Sequence, residues 1–240
     1  MLLSNTKIII LCGGRGSRLG MLTDNIPKPL VLVGNRSIIE RKLDYYINQG
    51  MKNFTFCTGY KGDLIEKKIN TMELNGEFSN IGENAGILER LYAVKNSFSN
   101  PTIISYGDTY AEIDMADLLK QHYKSNTLLT LVTAPIENPF GIIEIDKNNK
   151  VTSFKEKPVL NHYIGYAIMQ PEIFETIPND IITSPDGIGI IKTINFLSNL
   201  GQVNAYHFGG LQVTVNTNKD LEDANKKIGK YYTLKDLHEE

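Results

Sequence analysis

At 240 residues, with 41% hydrophobic and 22% charged residues, the chain has an ordinary globular composition and is long enough to bury a sizeable core within one large domain. A formal net charge of −2 with no basic tail or stripe argues against a nucleic-acid partner, so any phosphate ligand is expected to be small and locally bound. No apolar run approaches the roughly eighteen residues needed to span a bilayer, and no charged region followed by a cleavable apolar segment opens the chain, so a cytoplasmic protein without a membrane partner is expected.

The first predicted element is the apolar run Lys7 to Cys12, read as a buried strand. It empties into Gly13-Gly14-Arg15-Gly16-Ser17-Arg18-Leu19, and the chain then reaches Ile26-Pro27-Lys28-Pro29. Glycines at 13, 14 and 16 let the backbone turn tightly and aim its N–H groups into one concavity, while Arg15, Arg18 and Lys28 bring positive charge to the same mouth. That combination suits a polyphosphate. It is neither of the two common phosphate loops: there is no Gly-x-x-x-x-Gly-Lys-Ser/Thr run, and Leu19 stands where a dinucleotide fingerprint has its third glycine.

Ser37 to Gln49 follows as an amphipathic helix, with Ile38, Ile39, Leu43, Tyr46 and Ile47 at helical spacing and Gly50 as its stop. Phe54 to Cys57 reads as a strand ending at Gly59-Tyr60-Lys61-Gly62, Asp63 to Ile69 and Ile87 to Phe98 as helices, and Thr102 to Tyr106 as a strand meeting Gly107-Asp108. Ile113 to Tyr123 is expected to be helical and Leu128 to Thr133 extended. Such repeated strand, loop and helix units imply a parallel sheet covered on both faces.

The second half changes character. Gly141 to Ile145 and Val151 to Phe154 are short strands around the hairpin loop 146–150, and Tyr163 to Met169 is a further strand. Gly189 to Asn199 is a helix, Val203 to Phe208 and Leu211 to Val215 a pair of strands, and Thr217 with Asp220 comes close to a capping box for a last helix. The expected fold class is therefore α/β: a Rossmann-like, mostly parallel mixed sheet with helices on both faces, fused to an α+β acceptor-binding part. Residues 1–235 form one domain in this reading, with a nucleotide half over about 1–134 and an acceptor half over about 135–235.

Ligands of open α/β sheets collect beyond the carboxyl ends of the strands, which places the loop at 13–19, the turn at 59–62 and Gly107-Asp108 along one edge. An acid directly after a glycine at a strand end is poised either to hold Mg²⁺ with phosphate oxygens and water, or to cap the turn before Ile113. Cys12 and Cys57 end predicted central strands and read as packing residues, since no Cys-x-x-Cys or Cys/His cluster exists. His122, His162 and His207 lack metal spacing, and His238 with Glu239-Glu240 reads as a solvated tail.

The loop 13–19 with Lys28, together with Cys57-Thr58-Gly59-Tyr60-Lys61-Gly62, Gly82-Glu83-Asn84-Ala85-Gly86 leading to Arg90, Tyr106-Gly107-Asp108 and Phe154-Lys155-Glu156-Lys157-Pro158, resembles the sugar-1-phosphate nucleotidyltransferases, glucose-1-phosphate cytidylyltransferases above all. The resemblance runs from about residue 7 to about 225. Guanylyltransferases acting on heptose 1-phosphates share much of it, which leaves the base open. It implies an enzyme that joins a nucleoside triphosphate, CTP in the first instance, to a small phosphorylated acceptor with release of pyrophosphate, in the making of cell-surface glycan precursors. It implies Mg²⁺ as cofactor and a homo-oligomer as the working assembly. Carried over residue by residue, it gives Arg18, Lys28 and Asp108 as catalytic. Leu11, Gly13, Gly14, Arg15, Gly16, Ser17, Arg18, Gly86, Arg90 and Gly107 would bind nucleotide; Gly141, Glu156, Lys157, Tyr163 and Gly165 would bind acceptor; Asp108 and Asn216 would hold the metal.

Two departures keep alternatives open. Sugar-handling relatives usually carry Asn-x-Gly where this chain has Tyr163-Ile164-Gly165, so the acceptor is either a sugar phosphate or a non-sugar such as an amino-acid or amino-alcohol phosphate. They also commonly place a second metal-binding Asp where this chain has Asn216, which brings a carbonyl oxygen without charge or only caps the last helix. A non-catalytic nucleotide-binding regulator is the third reading.

Overall fold

Ile8, Ile9 and Ile10 have no exposed surface, and the strand they occupy, β1 (Lys7–Leu11), lies inside a seven-stranded sheet. A run apolar on both faces fits a strand covered from both sides. The structure is a computed structural model that describes residues 3–236 except Asn75 and Asp186, with side chains to 232; the expected solvated tail from His238 lies outside the described residues. The other strands are β2 (Leu32–Val33), β3 (Arg36–Ser37), β4 (Asn53–Thr58), β5 (Gly76–Asn80), β6 (Thr102–Tyr106), β7 (Thr109–Ala111), β8 (Leu129–Glu137), β9 (Ile142–Ile145), β10 (Val151–Lys155), β11 (Val159–Met169), β12 (Val203–His207) and β13 (Gln212–Thr214). The helices are α1 (Leu22–Asn25), α2 (Ile38–Asn48), α3 (Gly62–Asn70), α4 (Ile87–Ala93), α5 (Met115–Ser125), α6 (Ile173–Thr176), α7 (Asn179–Ile182), α8 (Ile188–Asn199) and α9 (Asn218–Asp236).

The main sheet runs β12-β8-β11-β6-β1-β4-β5, and every neighbouring pair is parallel except those that β11 makes with β6 and β8. This is the expected mostly parallel α/β sheet, and both halves of the chain build it. Alternation along β1 divides the core: Ile8 and Ile10 face a cluster with Ile39, Leu43 and Tyr46 of α2, while Ile9 faces Leu88, Leu91 and Leu197. A third cluster joins Leu19 and Val31 to Val213, Val215 and Ala224, so α9 seals the underside of the glycine-rich loop.

Two expectations fail for physical reasons. Residues 203–208 and 211–215 do not pair with each other. Strand β12 lies parallel to β8, and β13 lies antiparallel to β7, because the crossover through α8 feeds β12 into the main sheet before Gly209-Gly210 redirects the chain. The helix expected from Ile113 begins at Met115 instead, where the Asp114 carboxylate accepts the amides of Ala116 and Asp117, and residues 109–111 before it form β7.

His122 on α5 is 1% exposed, with Thr130 Oγ1 at 2.8 Å from Nδ1 and the Gln170 side-chain amide at 2.9 Å from Nε2, a pairing suited to the neutral ring. Burial pushes its pKa down to about 4. The unfolded chain therefore binds the proton first, so this contribution to stability is complete above about pH 6.5 and is lost as pH falls towards 4. Glu40 of α2 loses its contribution lower, between about 4.5 and 2: burial raises its pKa, but bonds from Lys68 and Ser37 prevail and bring it to about 2. Melting temperature should accordingly fall between pH 6.5 and 4.5, and His122→Gln should flatten that slope; an unchanged slope would contradict the assignment.

Candidate active site

The loop after β1 is held from below. Arg90 of α4, 4% exposed, donates from Nη1 to the carbonyl of Thr58 and from Nη2 to that of Gly82 at 2.6 Å, with longer approaches of 3.4 Å to the carbonyls of Gly13 and Glu83. A Cβ on Gly13 would stand 2.2 Å from Arg90 Cζ, so only glycine lets the loop lie on the guanidinium. Gly16, with φ +67°, starts the tight turn Ser17–Leu19, and Leu19 anchors that turn in the third core cluster. The Arg15 guanidinium lies 5.5 Å from the centre of the Tyr60 ring, and the Tyr60 amide donates to Gly13 O at 3.1 Å.

Lys28 enters from a turn after Pro27, its stem buried and its head aimed at the strand ends. Its Nζ lies 2.5 Å from Asp108 Oδ2 and donates to Asn216 Oδ1 at 2.7 Å, and Arg18 Nη2 donates to the same amide oxygen at 3.0 Å. Asp108 occupies the turn between β6 and β7, where its backbone carbonyl accepts the Val215 amide at 3.2 Å. Asn216 is fixed in turn by Asp220, whose Oδ2 accepts the amides of Asn216 and Thr217 at 3.0 and 2.9 Å. Burial opposes the charge of Asp220, but these bonds outweigh it and hold the carboxyl below its usual pKa. Four residues from three distant stretches of chain thus meet at one point.

That point is the waist of a two-part cleft. One cavity, of about 570 Å³, is lined by Leu11, residues 13–18, Lys28, residues 83–85 and Arg90. The other, of about 820 Å³, is lined by residues 162–165, Gln212, Thr214, Asn216 and the α9 residues Asp220, Asp223 and Lys227. Arg18, Ile87, Tyr106 and Asp108 belong to both. Tyr106 and Tyr163 meet edge to face, with ring centres 5.7 Å apart, and burial together with the neighbouring Tyr106 hydroxyl pushes the Tyr163 phenol well up. Gly165, at φ +79°, lies in a break of the β11–β8 register, and a Cβ there would press on Tyr106 at 3.0 Å.

The sequence-predicted residues thus fall into groups. Arg18, Lys28, Asp108 and Asn216 are together. Leu11, Gly13, Gly14, Arg15, Gly16 and Ser17 line the first cavity and Tyr163 and Gly165 the second. Arg90 reaches the first cavity while its guanidinium serves backbone carbonyls. Gly86 lies at the start of α4, donating its amide to Glu89 Oε2 at 3.3 Å, and Gly107 packs against Leu11 O behind the cleft. Gly141, Glu156 and Lys157 line neither cavity. They belong to the β9–β10 hairpin region, where Glu156 and Lys157 are about two-thirds exposed and lie 3.8 Å from each other. The sequence reading missed Asn84, Tyr106, Gln212, Thr214 and the inner face of α9; only Tyr106 and Asn84, inside quoted motifs, carried a signal.

Among the described residues no group of three or more His, Cys, Asp or Glu is placed to hold a metal ion. The oxygen donors at the waist are one carboxylate and one amide carbonyl. Such a set fits Mg²⁺, which keeps several waters and takes phosphate oxygens from a substrate, and it does not fit a cation needing an all-protein cage.

Comparison with known proteins gives the family and the fold. A nucleotidyl transferase family profile matches residues 7–196. A Bacillus subtilis (strain 168) protein named "Probable glucose-1-phosphate cytidylyltransferase" is 26% identical over 246 residues, covering 92% of this chain and 95% of its own. A Bacillus anthracis protein assigned as a glucose-1-phosphate thymidylyltransferase superposes with a TM-score of 0.72 at 20% identity, over 92% of this chain and 94% of its own. HddC from Yersinia pseudotuberculosis superposes with a TM-score of 0.69 at 23% identity, over 93% of this chain and 99% of its own, and it has also been crystallised with GMP-PN. At these identities the two structures speak for the fold.

Replacing Arg90 by Met should strand the carbonyls of Thr58 and Gly82, at a cost of roughly 2–5 kcal/mol in a urea titration. A loss below about 0.5 kcal/mol would mean that those carbonyls find other donors and that the strut is dispensable.

Proposed function

Because the chain belongs to the nucleotidyl transferase family, we propose that it joins CTP to a sugar 1-phosphate, releasing pyrophosphate and yielding an activated sugar for glycan assembly. The observation that carries this reading is the meeting of Arg18, Lys28, Asp108 and Asn216 at the waist between the two cavities. One cavity suits a nucleotide whose phosphates lie along the amide-lined loop, and the other suits the acceptor.

The chemistry is a displacement at phosphorus. An oxygen of the acceptor phosphate forms a bond to the α-phosphorus, the bond from that phosphorus to the bridging oxygen breaks, and pyrophosphate carries away the electron pair. The acceptor is already a competent nucleophile, so the protein's task is to align two anions and cancel their repulsion. In this reading Arg18 holds the leaving β- and γ-phosphates and Lys28 the α-phosphate. A bound Mg²⁺, held by Asp108 and Asn216, would supply further positive charge; Lys28 gives the same corner charge of its own. Gly13, Gly14 and Gly16 line the first cavity, where their amides would face phosphate oxygens.

A second reading keeps the reaction and changes the acceptor to a non-sugar phosphate. It is favoured by the wall of the second cavity, where the Tyr106–Tyr163 ring pair occupies the stretch in which an Asn would read sugar hydroxyls.

A pyrophosphate-release screen of the four common triphosphates against sugar 1-phosphates and non-sugar monophosphates separates these readings. Release should occur with CTP, only when acceptor is present, and should stop with EDTA; GTP is the next base to try, given the nucleotide crystallised with HddC. In the productive pair Arg18→Ala should slow turnover roughly 10²- to 10³-fold. Undiminished turnover in Asp108→Asn would contradict the role given to that carboxylate, whereas no turnover with any triphosphate would favour a non-catalytic nucleotide-binding protein.

A further inference from the structure

Helix α2 buries a lysine. Lys42 is 1% exposed, in a helix whose other inward residues, Ile38, Ile39, Leu43 and Tyr46, are apolar or aromatic. Its Nζ donates to Ser105 Oγ and, at 2.8 Å, to the carbonyl of Tyr106, and it lies 4.1 Å from the centre of the Tyr166 ring. Two hydrogen bonds and a cation–π contact are thus directed at β6, which ends two residues before Asp108, and at β11, which passes Tyr163. Tyr166 continues the chain of contacts: its hydroxyl donates to Thr109 O at 3.1 Å and accepts the Ala111 amide at 3.0 Å.

The turn carrying Asp108 is therefore gripped on both sides. Lys42 holds the backbone two residues before it, and Tyr166, seated against Lys42, holds the backbone one and three residues after it. We propose that Lys42 is a positioning residue for the transfer reaction, acting through the Tyr106 carbonyl and the Tyr166 ring to fix where the Asp108 carboxylate stands between the two half-clefts. This rests on the reading of Asp108 given under the proposed function. The buried ammonium is costly: burial pushes its pKa down to about 7, with the charge of Asp108 working the other way. An apolar side chain of similar length would relieve that burial but leave the Tyr106 carbonyl and the Ser105 hydroxyl without this donor, so the two effects on stability oppose each other.

The test compares full-length wild type with Lys42→Met, Tyr166→Phe and Asp108→Asn, using the triphosphate and acceptor found productive in the screen. Lys42→Met should keep a wild-type melting temperature to within about 5 °C. Its calorimetric Kd for the magnesium–triphosphate complex should stay within about threefold, while kcat falls roughly 10- to 100-fold, as a misplacement on the order of 1 Å produces. Tyr166→Phe should move kcat in the same direction with KM for the triphosphate unchanged. Unchanged kcat in folded Lys42→Met, with Asp108→Asn inactive, would overturn the proposal, and so would a loss of triphosphate binding that accounts for the whole fall. Should Lys42→Met not fold, Tyr166→Phe decides: a fall in kcat at wild-type stability supports the proposal and an unchanged kcat overturns it. Full activity in Asp108→Asn would instead sink the functional reading beneath it.

Discussion

One ammonium group ties the cleft together. Lys28 Nζ lies between the carboxylate of Asp108 and the amide oxygen of Asn216, and so joins a loop after β1, a turn after β6 and the entry to α9. Each segment reaches that point for its own reason. Pro27 and the following tight turn direct Lys28 inwards, paired strands flank Asp108, and the Asp220 cap fixes the backbone of Asn216. Lys28 and Asp108 cancel in formal charge, so the positive surplus that readies this partly buried point for an anion comes from Arg18, which donates to the same Asn216 oxygen.

The surrounding structure can be understood as support for that point. Arg90 lies under the glycine-rich loop, bonded to the carbonyls of Thr58 and Gly82 with a longer approach to that of Gly13, and leaves no room for a Cβ at Gly13. Helix α9 packs beneath the loop in the core cluster that holds Leu19 and lines the second cavity through Asp220, Asp223, Ala224 and Lys227, so the last helix serves both halves of the cleft. Strand β11 is antiparallel to both neighbours, and its register break at Gly165 opens the acceptor side next to Tyr106.

Much of this was legible in the sequence where the cause is local. The apolar run before Gly13 announces a strand covered on both faces, and the glycine, arginine and lysine spacing announces an anion loop. The acid after Gly107 announces a strand-end carboxylate. What stayed hidden depends on partners far along the chain. Nothing near residues 203–215 says that its two strands join different sheets, and the Glu156-Lys157 pair has the right order in sequence while the hairpin that bears it places both side chains outside the cavities. Arg90 was tied to the nucleotide site by motif, but its service to carbonyls at 58 and 82 exists only once the chain is folded. Lys42 is a different case: it falls between Ile38, Ile39 and Tyr46 on the inward stripe of α2, so the spacing already placed it in the core, and only the habit of assigning lysines to solvent concealed it.

The measurement that bears most directly on the account is a crystal structure of the protein with a non-hydrolysable CTP analogue and magnesium. The account predicts the triphosphate along residues 13–18, Lys28 against the α-phosphate, and a metal ion within about 2.1 Å of an Asp108 oxygen. A nucleotide seated away from that loop, or a metal that leaves Asp108 untouched, would contradict it.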